Sequence, residues 1–473
     1  MMMQAWAEAF EEYAKKLLEE SKVPGAVIAV ARDGEWMYQQ TFGERDREQQ
    51  LPLSMDTVFG IASVTKSFTC VAIMQLQEAG KLSVTDPVVR YLPEFHFLND
   101  AYTQAITIEH FMAHTPGMPP LPYLDGAMKR SMEHDPAIIG TEAEEELKTV
   151  PYLDTYEEVL DAIAKWEGTG LGAPGTAFSY NNDGYGLLGA IIERVSGQTY
   201  EQYMTEHILQ PLGMTRTVFA VEDLPNQEDV TTLYTRKKID GEEQVIAAPI
   251  WHDAPAMRAC GFLKSTVRDL MRYLELFRTS GEAPVSGVLS RESIQQMTTP
   301  HARCDGYRSY GYGLMISPAF PDGPLIEHGG SLKGISSHVF TQPDTGLSGV
   351  VLTNVDGVPV RDLVLGILNT ISHKPADALV YPIESCELSV ELHTDYVGLF
   401  KSQEWMKVEI VSKEQELYLK ADDGMYPLIP VQKDSFVFKR GRSAVWIDFS
   451  RSDEGKVERM SYSLRQLTKV ENA

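Results

Sequence analysis

The segment Thr57-Val58-Phe59-Gly60-Ile61-Ala62-Ser63-Val64-Thr65-Lys66 holds the only Ser-x-x-Lys of the 473-residue chain. Its β-branched and aromatic residues before Ser63 predict a strand, and the pattern from Val64 to Ala79 predicts a helix. This junction places Ser63 at a helix N-terminus, with Lys66 one turn later on the same face. About one such match is expected by chance in a chain of this length, so its weight depends on partners elsewhere.

The residue types of this segment suit nucleophilic chemistry. A serine hydroxyl is a weak nucleophile until a base takes its proton. A lysine that is held beside it and partly desolvated can lose its own charge and act as that base. The helix N-terminus favours negative charge that develops at the serine. We therefore expect Ser63 to be a nucleophile and Lys66 to be its base.

Tyr180-Asn181-Asn182 precedes a helix that the sequence predicts from Gly184 to Val195. The phenol can relay a proton, and the amide offers both a donor and an acceptor. On its own, the segment is better explained as a turn with a helix N-cap, because Asn is common at that position.

His328-Gly329-Gly330-Ser331 follows a predicted strand at Pro324–Glu327. Glycines in this position let a substrate backbone approach an edge strand closely. As an isolated match, the segment is better explained as a glycine-rich turn with an exposed histidine. The three segments follow one another in a fixed order along the chain, each at an element boundary, and this order favours a functional explanation for all three.

Ser-x-x-Lys, Tyr-x-Asn and His-x-Gly in this order resemble the three-part signature of the serine β-lactamase and penicillin-binding-protein superfamily. The chain looks most like its class C β-lactamase and D,D-peptidase branch, over about residues 10–372. Further segments agree with this resemblance: Leu82-x-x-x-Asp86-Pro87, His114-Thr115-Pro116-Gly117, residues 186–197, Pro211-Leu212-Gly213-Met214 and residues 261–270.

The resemblance implies a catalytic role for several residues. Ser63 would attack the substrate carbonyl and become acylated. Lys66 and Tyr180 would exchange the proton, as base toward Ser63 and as acid toward the leaving group. The backbone N–H groups of Ser63 and Ser331 would form the oxyanion hole.

The resemblance also implies substrate contacts. Asn182 would bind the amide side of the substrate, and Gly330 would leave room for it. His328 stands where many relatives have lysine, and a histidine near pH 7 is mostly neutral. A permanent cation for a substrate carboxylate is therefore missing, which favours peptidase or esterase activity over strong cephalosporinase activity. Lysine in place of His328 is expected to improve carboxylate-bearing substrates.

Composition limits the remaining functions. The chain has 67 acidic and 42 basic residues and a net charge of -25, which argues against nucleic acid and anionic membranes as partners. Its four cysteines form no Cys-x-x-Cys, so a disulfide framework or a zinc site of usual spacing is not expected. We expect neither a metal nor a cofactor.

The N-terminal residues predict an amphipathic helix with Trp6, Phe10, Tyr13 and Leu17 on one face. They contain no uninterrupted apolar segment of the kind that signal peptides and membrane anchors need. The expectation is a cytoplasmic protein without a leader.

The chain is long enough for two or three domains. We expect an α/β (α+β) domain at residues 1–372, in which a β-lactamase-like mixed antiparallel sheet is flanked by helices and an all-α subdomain. Residues 118–168 would form an inserted helical region or lid, and residues 373–393 a linker. Short alternating strands with turns predict an antiparallel β-barrel at 394–473, which resembles the lipocalin-like barrel of some serine peptidases. No catalytic group is expected in it.

The predicted function is serine hydrolysis through an acyl-enzyme, on small amides or esters such as D-amino-acid-type peptides, esters or β-lactams. The substrate would be a small molecule or a short peptide. One alternative is a dedicated β-lactamase or penicillin-binding protein. Another is a catalytically idle ligand-binding or scaffold protein, whose barrel drives homo-oligomerisation.

Overall fold

Most strands in the first 353 residues belong to one sheet. This computed structural model describes residues 2–225, 227–281, 287–404, 406–441 and 443–470. All the strands up to residue 353 are β1 (Gly25–Arg32), β2 (Glu35–Asp46), β3 (Leu51–Pro52), β4 (Phe59–Gly60), β5 (Tyr234–Ile239), β6 (Glu242–Ala247), β7 (Lys264–Ser265), β8 (Ala302–Arg303), β9 (Ser309–Tyr310), β10 (Met315–Ser317), β11 (Leu325–Leu332), β12 (Ile335–Gln342) and β13 (Leu347–Thr353), within the described residues. The central sheet is antiparallel, in the order β3-β2-β1-β13-β12-β11-β10-β9-β8. Two small antiparallel pairs lie outside it: β4 with β7, which are far apart in the chain, and the hairpin of β5 with β6.

The α-helices of the described residues are α1 (Met2–Glu20), α2 (Thr65–Glu78), α3 (Asp100–Ala105), α4 (Ile108–Met112), α5 (Tyr123–Met132), α6 (Glu142–Thr149), α7 (Tyr156–Ala164), α8 (Asn182–Ser196), α9 (Tyr200–Met204), α10 (Arg258–Gly261), α11 (Val267–Arg278), α12 (Arg291–Met297), α13 (Val360–Ile371) and α14 (His393–Tyr396). None of them is both long and apolar enough to cross a membrane.

Strand β1 shows why the sheet is covered on both faces. Its side chains alternate between two apolar cores, because successive residues of a strand point to opposite faces. Val27 and Ala29 pack in the core that includes residues of α2, α8 and α11. Ala26 and Ile28 pack in the core formed with α1 and α13. The result is a large antiparallel sheet between two helical layers, which confirms the predicted α/β fold class.

Residues 118–168 contain α5, α6 and α7. That they form an inserted region or lid stays a prediction. One predicted strand is shorter than expected. Only Phe59–Gly60 is a strand in the segment before Ser63.

The C-terminal strands form a nearly closed antiparallel barrel, which confirms the predicted architecture. They are β14 (Gly398–Lys401), β15 (Lys407–Lys413), β16 (Glu416–Ala421), β17 (Gly424–Pro427), β18 (Ile429–Gln432), β19 (Ser435–Arg440), β20 (Ser443–Arg451), β21 (Val457–Tyr462) and β22 (Arg465–Lys469), in the order β17-β16-β15-β14-β22-β21-β20-β19-β18. Buried apolar side chains such as Phe400, Ile447 and Leu467 pack in its interior. The domain limits at 372 and 394 and the likeness to lipocalins stay predictions.

Candidate active site

Ser63 lies in a 3-10 turn, Ala62–Val64, between β4 and α2. The turn is tightly held. Ala62 has a φ of 43°, in the left-handed region that non-glycine residues rarely adopt. The Thr65 hydroxyl donates to the Ala62 carbonyl at 2.7 Å and accepts from the Leu263 N–H at 3.2 Å. These contacts fix the partly exposed Ser63 side chain at the start of α2.

The Lys66 side chain is fully buried, and its amine contacts three groups. Nζ lies 3.2 Å from the Ser63 hydroxyl, 2.8 Å from Asn182 Oδ1 and 2.6 Å from the Cys260 carbonyl oxygen. Two of these partners are obligate acceptors, and the third is a hydroxyl. An amine that has given up one proton keeps two N–H groups for the acceptors and a lone pair for the serine proton, which is the arrangement that a general base needs.

Tyr180 lies next to the Lys66 amine. Lys66 Nζ is 4.7 Å from the centre of its ring. The Tyr180 hydroxyl is buried and has no hydrogen-bond partner among the described residues. A buried hydroxyl without a partner is costly, so this group is suited to a partner that arrives with the substrate.

Of the two adjacent asparagines, Asn181 caps a helix and Asn182 faces the site, so both explanations of this segment apply. Asn181 is the N-cap of α8, and its Oδ1 accepts from the Gly184 N–H at 2.8 Å. Its own N–H donates to His114 Nδ1 at 3.0 Å, and the His114 ring packs 4.2 Å from the ring of Tyr180. Asn182, the next residue, turns toward Lys66. The cap thus orients the residues that face the amine.

His328 is buried within β11, so the explanation as an exposed histidine in a turn is wrong for this segment. Its Nε2 lies 2.8 Å from the Tyr310 hydroxyl, and its Nδ1 lies 2.6 Å from the Gly329 carbonyl oxygen. Burial, with repulsion from Lys66 as a second cause, lowers the pKa of His328 to about 3. The ring is therefore neutral near pH 7, and it can donate from Nδ1 and accept at Nε2.

Gly330 allows β11 to approach the 3-10 turn that carries Ser63. A Cβ on this residue would lie 2.2 Å from the Ile61 carbonyl oxygen and 2.4 Å from the Ser337 hydroxyl. The sequence predicts that Gly330 leaves room for a substrate, but protein atoms fill part of this space. Ser331, the next residue, is exposed at the edge of the cleft.

A cleft of about 370 Å³ joins these groups. Among the residues that line it are Ser63, Tyr180, Asn182, Cys260, His328, Gly330 and Ser331. All the predicted site residues except Lys66 line it, and Lys66 lies directly beneath Ser63. Burial raises the pKa of the Cys260 thiol to about 11, so this thiol is not a competing nucleophile.

Sequence reasoning missed the part of the cleft that the barrel contributes. Leu464 and Arg465, at the turn between β21 and β22, reach across from the barrel and line the cleft. The Arg465 guanidinium lies 4.8 Å from the centre of the Tyr180 ring. The local sequence Ser463-Leu464-Arg465 carries no chemical motif, so no sequence signal pointed to it.

A serine and a buried lysine at the start of a helix, beside an antiparallel sheet with helices on both faces, agree with the β-lactamase-like fold and the Ser-x-x-Lys arrangement that the sequence predicts. A family model described as Beta-lactamase matches residues 10–369. The chain belongs to this family.

The chain is similar to several named proteins. It is 27% identical over 366 residues to Protein flp of Staphylococcus aureus (strain MW2), an alignment that covers 76% of this chain and 65% of that protein. It is 23% identical over 414 residues to Penicillin-binding protein 4* of Bacillus subtilis (strain 168), covering 85% of this chain and 84% of that protein. The structure of the octameric penicillin-binding protein homologue from Pyrococcus abyssi superposes with a TM-score of 0.69 at 29% identity, over 98% of this chain and 100% of that chain.

Proposed function

We propose that this protein hydrolyses small amides or esters through an acyl-enzyme on Ser63, with D-amino-acid-type peptides, esters and β-lactams as the candidate substrates. The observation that carries the proposal is the contact of 3.2 Å between Lys66 Nζ and the Ser63 hydroxyl at the base of an open cleft. It places a base within hydrogen-bond reach of the nucleophile.

In the proposed reaction, Ser63 Oγ attacks the substrate carbonyl as its proton passes to Lys66. Backbone N–H groups of Ser63 and Ser331 stabilise the oxyanion. The proton then reaches the leaving nitrogen or oxygen through the Tyr180 hydroxyl, the bond to the leaving group breaks, and an ester on Ser63 remains. Water enters, loses a proton to the same groups and releases the acid. Asn182 holds the Lys66 amine in place and contacts the substrate amide.

Peptidase or esterase activity is favoured over a dedicated β-lactamase. The support is His328, which is neutral where many relatives have a cation. A neutral imidazole that is bonded to Tyr310 cannot hold a substrate carboxylate as an ammonium does. A cation for such a carboxylate has to come from another element.

Covalent labelling tests the proposal. We expect a fluorophosphonate to add one adduct to Ser63, measured by intact mass and peptide mapping, and benzylpenicillin to give a slower adduct. Ser63→Ala should give neither. Ser67→Ala is the matched control, because Ser67 lies one turn further along α2, bonded to the Val64 carbonyl at 2.9 Å. A catalytically idle binding protein would show no adduct, and turnover of nitrophenyl esters by Ser63→Ala would contradict the mechanism.

We also propose that the chain assembles into a homo-oligomer through its barrel. The octameric homologue supports this, as do Val397, Met425 and Val470, which are large apolar residues of the barrel region that remain exposed. Mass photometry of the full chain at several concentrations tests it, with a chain ending at residue 385 as the comparison. A full chain that stays monomeric at micromolar concentration contradicts the proposal.

A further inference from the structure

A buried ion cluster lies outside the set of residues that carry the proposed reaction. Asp135, which follows α5 and is fully buried, pairs with Lys333 Nζ at 2.7 Å, and its Oδ2 lies 2.8 Å from His252 Nε2. The Ala137 N–H donates to its other oxygen at 2.9 Å. Burial opposes a charge on Asp135, but the hydrogen bonds from His252 and Lys333 hold the pKa of this carboxyl well below its usual range. Asp135 and Lys333 therefore form a lasting ion pair.

The Lys333 ammonium uses all of its donors inside the protein. In addition to Asp135, it donates to the Ala248 carbonyl at 2.9 Å and to the Ile250 carbonyl. An ammonium has three N–H groups, so none is left for a substrate. Its side chain is 9% exposed. Any effect of Lys333 on the reaction therefore has to pass through the residues that it holds in place.

Lys333 lies at the tip of the hairpin that carries Ser331. The strands on either side of this hairpin end before the tip: β10 pairs with β11 only as far as Glu327, and β13 pairs with β12 only from Ser336 onward. Within the described residues, the tip at 332–335 thus projects beyond the neighbouring strands. Its position depends on side-chain contacts rather than on ladder hydrogen bonds to those strands.

The cluster joins this tip to a second element of the cleft. Helix α5 ends at Met132, shortly before Asp135, and its Leu124 lines the cleft. Ser331 and Leu332 of the hairpin line the same cleft. The ion pair therefore fixes the hairpin tip relative to α5, although the two elements are far apart in the chain.

We infer that Lys333 is a positioning residue for the oxyanion hole: through Asp135 it holds the hairpin tip so that the Ser331 N–H stays where the oxyanion develops. This inference deepens the proposed function of the Ser63 site and rests on it. A backbone donor stabilises an oxyanion only from a fixed place, and a shift of about 1 Å can cost about 100-fold in rate. The competing explanation is that the cluster stabilises the fold alone.

Two variants remove this connection in different ways. Lys333→Met leaves the Asp135 carboxylate buried without its cation, which lowers stability. Asp135→Asn combined with Lys333→Met removes both charges, so no buried ion is left unpaired. This double variant decides the question if the single variant does not fold.

Lys237→Met is the matched control. Lys237, on β5, donates to the carbonyls of Pro136 and Ile139 at 3.0 and 3.2 Å. The control therefore removes a lysine contact from the segment that directly follows Asp135, but it leaves the hairpin that carries Ser331 untouched. Circular dichroism and thermal melts of the full-length proteins show which variants are folded.

Steady-state kinetics with p-nitrophenyl acetate gives kcat and KM, with active sites counted from the fluorophosphonate adduct by intact mass. We expect the folded variants of the Asp135–Lys333 pair to lower kcat about 10- to 100-fold and to change KM by less than about threefold. The reason is that the oxyanion forms only in the transition state. Lys237→Met should keep kcat within about twofold of the wild type.

Phenylboronic acid gives a readout that a purely structural role would not move. The Ser63 oxygen bonds to boron as its proton passes to Lys66, no bond to boron breaks, and the tetrahedral anion places an oxygen in the oxyanion hole. We expect the inhibition constant of the double variant to rise by about the same factor as its kcat falls.

The failures of the two proposals are distinguishable. A folded double variant with the kcat and the boronic-acid affinity of the wild type would overturn the inference and leave the cluster a role in stability alone. An equal loss of kcat in Lys237→Met would overturn it as well. Neither result affects the proposed function, which fails if a fluorophosphonate leaves Ser63 of the wild type unlabelled.

Discussion

The amine of Lys66 is buried beside Ser63, where its three partners leave it little freedom. We expect Lys66→Ala to slow acylation by about 10²- to 10⁴-fold, the usual contribution of a general base. The rate of adduct formation with a fluorophosphonate, followed by intact mass, measures this. Circular dichroism checks that the variant is folded, since Asn182 Oδ1 and the Cys260 carbonyl lose their donor. A folded variant that acylates at the wild-type rate would falsify the role of Lys66.

His328 requires a revision of what the sequence suggests. The residue is buried, so a lysine there would place a second ammonium near Lys66 without solvent. We expect His328→Lys to lower the free energy of unfolding by roughly 3–5 kcal/mol rather than to improve carboxylate-bearing substrates. His328→Gln, which is neutral, should cost much less. Thermal melts and kcat/KM for an acid substrate decide between the two expectations; a stable His328→Lys with a lower KM supports the original one.

The neutral histidines of the site make stability depend on pH. Burial lowers the pKa of His328 to about 3 and that of His114 well below its usual value. Between pH 6.5 and about 3 the unfolded chain therefore binds a proton at the His328 ring that the folded protein does not, so stability is lost as the pH falls, and His114 acts in the same direction. The buried carboxyl of Asp183, whose pKa is raised, acts in the opposite direction.

A variant isolates the contribution of one ring. We expect the free energy of unfolding to fall by about 1 kcal/mol per pH unit for His328 below pH 6.5. Urea unfolding at pH 7.5, 6.0 and 5.0 should therefore give a shallower slope for His328→Gln than for the wild type. Parallel slopes would mean that His328 has the same pKa in both states.

At the scale of elements, Gly330 determines how closely β11 approaches the 3-10 turn that carries Ser63. A Cβ there would overlap the Ile61 carbonyl and the Ser337 hydroxyl, neither of which can move without shifting the turn that carries Ser63. We expect Gly330→Ala to reduce acylation about 100-fold and to cost roughly 1–3 kcal/mol of stability. Kinetics and thermal melts measure both effects.

Gly329→Ala is the neighbouring control. Its Cβ would first meet the imidazole of His338 at 3.0 Å, a side chain that can adjust more easily than backbone. We therefore expect Gly329→Ala to reduce acylation and stability less than Gly330→Ala does. If the two alanine variants behave alike, the close approach at Gly330 is not what limits the site.

The elements differ in how far the sequence predicts them. Ser63 lies in the 3-10 turn that runs directly into the helix of Lys66, so a spacing of three residues is enough to bring the two side chains together. Helix α8 is predicted by its apolar pattern and its Asn cap. Strands β17 and β18 have only four residues each and include Pro427 and Pro430, and a proline argues against a strand, so the sequence does not predict them.

At the scale of the whole molecule, Arg465 could not be predicted, because its place depends on how the barrel docks. The docking contacts join residues almost 290 positions apart, as between Gln466 and Ser179. Arg459 adds a hydrogen bond from the barrel to the Leu171 carbonyl. Contacts of this range follow from the packed surfaces of two bodies, which no local pattern encodes.

The same docking makes the barrel part of the lining of the Ser63 cleft, and a variant of Gln466 tests whether it matters for the proposed chemistry. Its side chain donates to Phe178, two residues before Tyr180. Gln466→Ala removes this bond, which is worth about 1 kcal/mol, so we expect kcat/KM for a neutral nitrophenyl ester to fall about 3- to 10-fold as Tyr180 loses its fixed position. Gln432→Ala is the matched control, because this glutamine lies in the barrel and donates to Ser435, away from the cleft. Equal rates for both variants would mean that the barrel covers the cleft without positioning its chemistry.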